Sequence, residues 1–328
     1  MKTKFDRIVA ILLLLTCISS SMALFFKKSS IASKKESSDV SFNWEDGLNV
    51  GLGKTDIAVI DLVGPIMYGS MGGFGQNSNI DANQVLATLD KIEKDKVKAV
   101  FLRLNTPGGT ASASQAIYEK MQTMKKKSNI KFYSFMQDVA ASGGYYIASA
   151  CDKIYANPST MTGSIGVIMQ VPNYTNVANK IGIETNTIKS GKFKDIGNSM
   201  RKMTEDEKKL LHDLIMDTYG EFVNAVSKGR KLPIEKVKEL GDGRIYTGNQ
   251  ALKNHLVDKL GQESDALNDL AKELKIEGKP KTRNYTKSGF EKILGEIGAK
   301  SGIPSMENLI NFVEISPKFQ KIPLMLYK

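Results

Sequence analysis

A serine flanked by small residues is the position in this sequence best suited to nucleophilic chemistry. Ser142 lies in the run Ala140 to Gly144 (AASGG), and an aromatic, small-residue segment from Tyr145 to Ala150 follows. Glycine beside a serine allows a sharp turn and the close approach of another chain segment. The following segment predicts a buried helix with Ser142 at its N-terminus, where free N–H groups stabilise a developing oxyanion. Two interpretations follow, a nucleophile or an N-cap serine on a tightly packed helix.

A serine nucleophile needs a base, and histidine is the most common one. Both histidines, His212 and His255, fall in predicted helices rather than on loops that follow strands, which favours a base of another type. A lysine can accept a proton only when its amine is neutral, and burial can lower its pKa from about 10.4 to about 5–6 in extreme cases. One loop offers three such lysines, Lys189, Lys192 and Lys194, and their residue types alone do not distinguish among them.

The composition excludes several other classes of site. The 328 residues are 41% hydrophobic and 25% charged, enough for one large or two ordinary globular domains. The net charge is +11, but lysines alternate with acidic residues and no nucleic-acid motif occurs, so we expect no nucleic-acid partner. A basic surface that faces anionic lipid explains the charge equally well. Two cysteines, Cys17 and Cys151, and two histidines are too few for a disulfide framework or a zinc site, and we expect no metal or cofactor.

The N-terminus carries a candidate membrane segment. Basic residues precede an apolar stretch from Ile8 to Phe26, close to the ~20 residues that a spanning helix needs. The small residues from Ser21 to Ala23 also fit a signal-peptide cleavage site, which is the alternative. Lipid modification of Cys17 is disfavoured because Thr16 precedes it. We predict a single-pass anchor, with a basic cytoplasmic end and the rest of the chain outside the cytoplasm.

Strands and helices alternate in the first half of the folded part, which is typical of a parallel sheet with crossover helices. The turn from Asn105 to Gly109 and the turn at Ser142 each follow a predicted strand, and open α/β sheets place their sites at such strand ends. The predicted elements are a strand at Ile57–Val63, a helix at Ala82–Lys94, a strand at Val97–Leu104, a helix at Ser112–Lys127 and a strand at Lys131–Met136.

The second half predicts more strands and then helices. A capping box from Thr204 to Glu207 opens a long amphipathic helix that continues to about Lys228. Strands are predicted at Lys153–Tyr155, Thr162–Gln170 and Ile183–Ile188, and helices at Pro233–Leu240, around Ala251 and at Ala266–Leu274.

Changes in composition divide the chain into four parts. Residues 1–28 form the membrane segment, residues 29–54 a Ser- and Lys-rich flexible linker, residues 55–278 the folded domain that carries Ser142 and the three candidate lysines, and residues 279–328 a basic C-terminal tail. Within the folded domain, the glycine-rich segment from Tyr68 to Asn79 is predicted to be a mobile loop.

Four short motifs follow one another along the chain: NTPGG (Asn105 to Gly109), AASGGYY (Ala140 to Tyr146), TGSIGVIM (Thr162 to Met169) and IKSGKFKDIG (Ile188 to Gly197). In this order and spacing they resemble the signal peptide peptidase A family, and the resemblance extends from about Ile57 to Gly261. It implies a Clp-protease/crotonase-like α/β fold and a Ser-Lys protease of the bacterial cell membrane, with its catalytic domain outside the cytoplasm. Its substrates would be peptides, in particular signal peptides left in the membrane after cleavage.

The same resemblance implies roles for individual residues. Ser142 matches the nucleophile of the family and Lys194 its general base. Because the chain has no internal repeat, each chain carries one complete pair, and the resemblance implies a homo-oligomer. Backbone N–H groups of Gly143 and of the Gly108-Gly109 turn would hold the oxyanion. Ser164 would orient Lys194, or else it is a buried strand serine satisfied by backbone groups.

Two other functions remain to be compared with the structure. A crotonase-type enzyme that acts on an acyl thioester would also use paired glycine turns, but it would need a carboxylate, for which Asp138 is the candidate. A membrane-anchored scaffold without catalytic activity is the second alternative, and the presence of both Ser142 and Lys194 argues against it.

Overall fold

The structure, a computed structural model, describes residues 55–69 and 79–286. The predicted membrane segment and linker, most of the predicted loop from Tyr68 to Asn79, and the tail beyond residue 286 lie outside the described residues. No helix in the described ranges is both long enough and apolar enough to cross a bilayer.

A mainly parallel sheet forms the centre of the fold. Its strands in chain order are β1 (Ile57–Val63), β4 (Ala99–Thr106), β5 (Lys131–Ala141), β6 (Lys153–Ala156), β7 (Met161–Gly163), β8 (Ile245–Thr247), β9 (Lys259–Leu260) and β10 (Thr282–Asn284). The spatial order is β10-β1-β4-β5-β6-β9, all parallel, and β7 continues the pairing on the end of β5. The pair β7–β8 is antiparallel. Two short strands, β2 (Ile66–Met67) and β3 (Ile80–Asp81), form a separate parallel pair.

Helices alternate with the strands, and those between parallel strands form crossovers, as the alternation in the sequence predicts. They are α1 (Ala82–Lys94), α2 (Ala111–Ser128), α3 (Gly143–Ala148), α4 (Thr175–Lys180), α5 (Glu205–Arg230), α6 (Ile234–Leu240), α7 (Gly248–Lys253) and α8 (Glu263–Glu273). This α/β architecture, with its mostly parallel sheet, fits the Clp-protease-like fold that the resemblance implies.

The sheet is buried on both faces, which explains the nearly continuous apolar runs of its strands. In β1, Ile60 and Leu62 join the larger cluster with α1, α2 and α3, whereas Ile57 and Val59 face the other side. There they pack with α8, through residues that include Leu270. The strand β10 lies within the predicted tail and pairs with β1, so the sheet extends to Asn284.

Helix α5 belongs to the core over only part of its length. Its C-terminal half buries Phe222, Val223 and Val226, but Leu210 and Leu214 in its N-terminal half are exposed. The helix therefore extends from the core out to a region of the chain that the core does not cover.

In that region, residues 164–204, two of the strand predictions are wrong. The predicted strand Thr162–Gln170 is a strand only as far as Gly163, and no strand forms at Ile183–Ile188. Side chains that an apolar run would bury, among them Ile168 and Ile188, are exposed in the single chain. Runs of β-branched residues predict buried strands, but here no other part of the described chain covers these side chains. We call residues 164–204 the arm.

Candidate active site

Ser142 occupies the turn between β5 and α3 in a conformation that residues with a side chain rarely adopt. Its φ is +53° and its ψ is −121°, and strain of this kind is concentrated at functional sites. The turn is held on both sides: the Ser142 N–H donates to the Gly163 carbonyl at 2.8 Å, and the Ser142 carbonyl accepts from the Tyr146 N–H at 2.9 Å. The prediction that Ser142 starts a buried helix is confirmed. Its side chain makes no capping hydrogen bond, so the geometry does not support the N-cap interpretation.

The pairing register of β4 and β5 shifts just before this turn, and the shift positions Ser142 in it. The shift falls between Leu104 and Thr106, and it is bridged by the side chain of Asn105. The Asn105 Oδ1 accepts from the Val139 N–H at 3.3 Å, and its Nδ2 donates to Asp138 Oδ2 at 3.2 Å. Irregularities of this kind bend a strand and re-aim its side chains, often next to active sites. Nothing in the sequence pattern revealed this role of Asn105.

The three predicted oxyanion glycines lie together beside Ser142. A Cβ added to Gly108 would lie 2.7 Å from the Gly143 nitrogen, and one added to Gly143 would lie 3.2 Å from the Gly109 nitrogen. The Gly108 N–H is already engaged, since it donates to Thr106 Oγ1 at 3.1 Å. The Gly143 N–H begins a helix and has no partner within it, and the Gly109 N–H takes part in none of the hydrogen bonds found between described residues. Two adjacent N–H groups are thus available to an oxyanion.

Ser164 comes directly after β7, next to the glycine that binds Ser142. Its N–H donates to the Arg244 carbonyl at 2.8 Å. Its φ is +50°, and its side chain is half-buried. The residue therefore stands outside the strand, which removes the buried-strand interpretation and leaves the lysine-orienting role as a prediction.

The three candidate lysines of the arm differ in their partners. Lys189 forms an ion pair with Asp195 and donates to the Lys192 carbonyl at 3.0 Å, and Lys192 pairs with Asp206. Lys194 is exposed, and within the described ranges its amine has no carboxylate partner and no hydrogen bond to Ser142. Lys194 is therefore the one of the three whose amine is not held by an ion pair between described residues.

A charge network that the sequence analysis did not single out holds the loop of Lys194. Arg201 binds both Asp195 and Glu207, whose side chains are 9% and 2% exposed. Hydrogen bonds from Arg201 lower the pKa of Asp195 well below its usual range, and Lys189 adds to this effect. Arg201 and the Thr204 backbone lower the pKa of Glu207 to about 2. The capping box identified Glu207 as a helix residue, but no sequence signal pointed to Arg201.

The side chains that a crotonase-type enzyme or a histidine-based protease would need are exposed. Asp138, which a crotonase-type enzyme would need as its acid or base, is exposed and bound to Asn105. Both His212 and His255 are exposed. Among the residues that the structure describes, no group of three His, Cys, Asp or Glu side chains could hold a metal ion.

Comparison with known proteins connects this geometry to a family. Residues 124–277 match the family described as Peptidase family S49. A protein of Enterococcus faecium named as a signal peptide peptidase SppA is 41% identical over 71% of this chain and 67% of its own length. The chain belongs to peptidase family S49. A protease of Methanocaldococcus jannaschii is 39% identical over 68% of this chain and 73% of its own length. The chloroplastic serine protease SPPA of Arabidopsis thaliana is 32% identical over 68% of this chain, which spans only 33% of that protein.

Membership of family S49 makes the chain a serine protease and confirms the resemblance to signal peptide peptidase A. The matched residues 124–277 contain Ser142, Ser164 and Lys194, together with the arm. The turn at Gly108 and Gly109 lies outside that match, although Gly108 adjoins Ser142 in the structure.

Proposed function

We propose that the chain hydrolyses peptide bonds with Ser142 as the nucleophile and Lys194 as the general base. The observation that carries this proposal is the placement of Ser142 on a strained turn beside two available N–H groups, those of Gly109 and Gly143. The assignment of Lys194 as the base is supported by the ion pairs of the loop. Lys189 and Lys192 each pair with a carboxylate, whereas Lys194 pairs with none among the described residues.

In each of the two steps, acylation and deacylation, Lys194 accepts one proton and later donates it. Neutral Lys194 accepts the hydroxyl proton of Ser142 while the oxygen attacks the peptide carbonyl carbon. The carbonyl electrons move to oxygen, and the Gly109 and Gly143 N–H groups stabilise that charge, each donor worth about 3–4 kcal/mol of barrier. The tetrahedral intermediate collapses, the amine leaves with the proton from Lys194, and an ester on Ser142 remains. Lys194 then takes a proton from the water that attacks this ester, and it returns that proton to the Ser142 oxygen as the ester C–O bond breaks. The peptide leaves as its new carboxylic acid, with the Ser142 hydroxyl and neutral Lys194 restored.

Lys194 must be shielded from water to stay neutral, and a homo-oligomer would supply that shield. A solvated amine keeps its charge near neutral pH, whereas the arm leaves Lys194 exposed in the single chain. The same arm exposes large apolar side chains, among them Ile168, Val177 and Ile181. Large exposed apolar patches mark interaction sites, and the number of exposed apolar side chains in this one segment supports such a site on the arm. A second copy of the chain seated on the arm would bury this surface and bring Lys194 to a Ser142 site.

The substrates that we propose are peptides at the membrane, including cleaved signal peptides. This part of the proposal is supported by the apolar segment from Ile8 to Phe26 and by the name of the Enterococcus faecium relative. The segment would anchor the chain, with the catalytic domain on the outer side of a bacterial membrane.

The test compares Ser142→Ala and Lys194→Ala with a matched control, Lys192→Ala, in the full chain. Lys192 is an exposed lysine of the same loop, paired with Asp206. We expect the first two variants to lose hydrolysis of a fluorogenic peptide and the control to keep it. A serine-directed phosphonate should label Ser142 alone in the wild-type chain. Wild-type activity in Lys194→Ala, or label on a different serine, would refute the dyad.

A further inference from the structure

Arg201 uses all of its hydrogen-bond donors within the arm and the first turn of α5. Its Nε donates to Asp195 Oδ2 at 2.7 Å, and its Nη2 donates to the Asp195 carbonyl at 3.2 Å. Its Nη1 donates to Glu207 Oε2 at 2.9 Å and to the Lys202 carbonyl at 3.1 Å, and Nη2 also donates to Glu207 Oε1. A guanidinium has five N–H donors in a fixed fork, so this side chain is fully bonded.

The burial of the two carboxylates is unexpected at this place. The arm is mostly exposed, yet Asp195 and Glu207 are largely buried around Arg201. Such a cluster does little for stability compared with apolar packing, but the loss of one member leaves a buried charge without a partner. Charges arranged in this way fix one geometry of a segment. The segment fixed here is the loop that carries Lys194, because Asp195 is the next residue and is held through both its side chain and its carbonyl.

The network also joins this loop to the core through α5. Glu207 Oε2 accepts from the Thr204 N–H at 2.8 Å, which closes the capping box at the start of that helix. Near the other end of α5, the ring of Phe222 lies 4.8 Å from the ring of Tyr146. Tyr146 belongs to α3, the helix that begins directly after Ser142. These contacts thus join the loop of Lys194 to the core of its own chain through α5.

We propose that Arg201, clamped between Asp195 and Glu207, is a positioning residue that sets the location of Lys194 for catalysis. The inference rests on the proposed function, in which Lys194 is the general base. Arg201 itself touches neither substrate nor the reacting atoms. Lysine at position 201 would keep the charge but lose the planar fork that reaches both carboxylates.

A misplacement of about 1 Å in a reacting group can cost about 10²-fold in rate. We therefore expect Arg201→Lys to lower kcat by about 10–100-fold and to leave KM within about twofold, because the peptide-binding groups do not change. Glu207→Gln should also lower kcat, so this variant tests the proposal even where Arg201→Lys fails to assemble. The matched control is Asp206→Asn, the neighbouring carboxylate, which forms only an exposed pair with Lys192. We expect this control to keep wild-type kcat.

The experiment measures peptide hydrolysis and the rate of phosphonate labelling of Ser142 in the full chain, together with oligomer size and thermal midpoint. Each Arg201 variant is also made in the Lys194→Ala background. If Arg201 acts through Lys194, it has no further effect on residual labelling there. In Arg201→Ala, added methylguanidinium should restore part of kcat.

Three results would overturn the inference. The first is wild-type kcat in Arg201→Lys while Lys194→Ala is inactive, which leaves the proposed function intact. The second is a further loss of labelling when Arg201→Lys is added to Lys194→Ala, which would indicate damage to Ser142 itself. The third is wild-type activity in Lys194→Ala, which removes the proposed base and with it this role of Arg201.

Discussion

Gly109 and Ile66 lie so close together that a Cβ on the glycine would be 1.9 Å from the Ile66 carbonyl oxygen. The contact is fixed from both sides, because the Ile66 N–H donates to the Gly108 carbonyl and the Thr110 N–H donates to the Ile66 carbonyl, each at 2.8 Å. Strand β2 thereby supports the turn that presents the Gly109 N–H beside Ser142. Only a residue without a side chain fits at this position.

Gly109→Ala should displace the N–H of residue 109 from its position beside Ser142. Real Cβ atoms do not approach backbone this closely, so the turn must move away from Ile66. Loss of one oxyanion donor costs about 10²–10³ in kcat, and we expect the rates of peptide hydrolysis and of phosphonate labelling to fall together.

The control for this prediction is Gly220→Ala on α5, where an added Cβ meets no atom within 4 Å. Alanine is better than glycine in a helix by about 1 kcal/mol, so this variant should be somewhat more stable and fully active. Wild-type labelling in Gly109→Ala would contradict the role of the turn.

Much of the central sheet could be predicted from the sequence. The helix at Ala82–Lys94 has the predicted bounds, and the capping box at Thr204 begins α5 as expected. These elements are determined by local patterns, such as period, caps and glycine turns. The helix after Ser142 was also predictable, because the run of small and aromatic residues there is typical of a buried helix.

The arm could not be predicted in the same way. The runs at Thr162–Gln170 and Ile183–Ile188 have the composition of buried strands, but among the described residues only Thr162 and Gly163 of these runs pair with another strand. The choice among Lys189, Lys192 and Lys194 depends on which carboxylates the fold brings near each amine. Arg201 reaches two carboxylates that are each six residues away, and no local motif encodes that arrangement.

Cys151 should be inert in the folded protein. It is buried, and this burial raises the pKa of its thiol to about 12, so almost no thiolate exists at pH 8. In a full chain with Cys17→Ser, we expect N-ethylmaleimide to leave peptidase activity unchanged and to modify Cys151 only after denaturation. Mass spectrometry measures the modification, and rapid alkylation of the native chain would show that the thiol is accessible.

Acid should weaken the Arg201 network over a defined pH range. The pKa of Glu207 falls from 4.5 to about 2 on folding, so its carboxylate contributes stability above about pH 4.5, and this contribution is lost as the pH falls towards 2. Wild type and Glu207→Gln should therefore differ most in thermal midpoint near neutral pH and converge by about pH 2. Asp206→Asn controls for the loss of a charge in the same helical turn. A constant difference from pH 7 to pH 2 would show that Glu207 acts without its charge.

Mixed oligomers should reveal which chain supplies Lys194. Within one chain, none of the hydrogen bonds or ion pairs between described residues joins Lys194 to Ser142, and Lys194 is exposed. We therefore expect a neighbouring copy to supply the lysine, so that Ser142→Ala and Lys194→Ala, each inactive alone, regain activity when they are co-assembled. If the two variants occupy a symmetric ring at random, about a quarter of the sites pair an intact serine with an intact lysine. Peptide hydrolysis should then return to about a quarter of the wild-type rate. Ser142→Ala mixed with the double variant should stay inactive, because that mixture contains no intact serine. An inactive mixture of the two single variants, with mixed oligomers verified by mass, would instead mean that each chain folds its own arm back over its own Ser142.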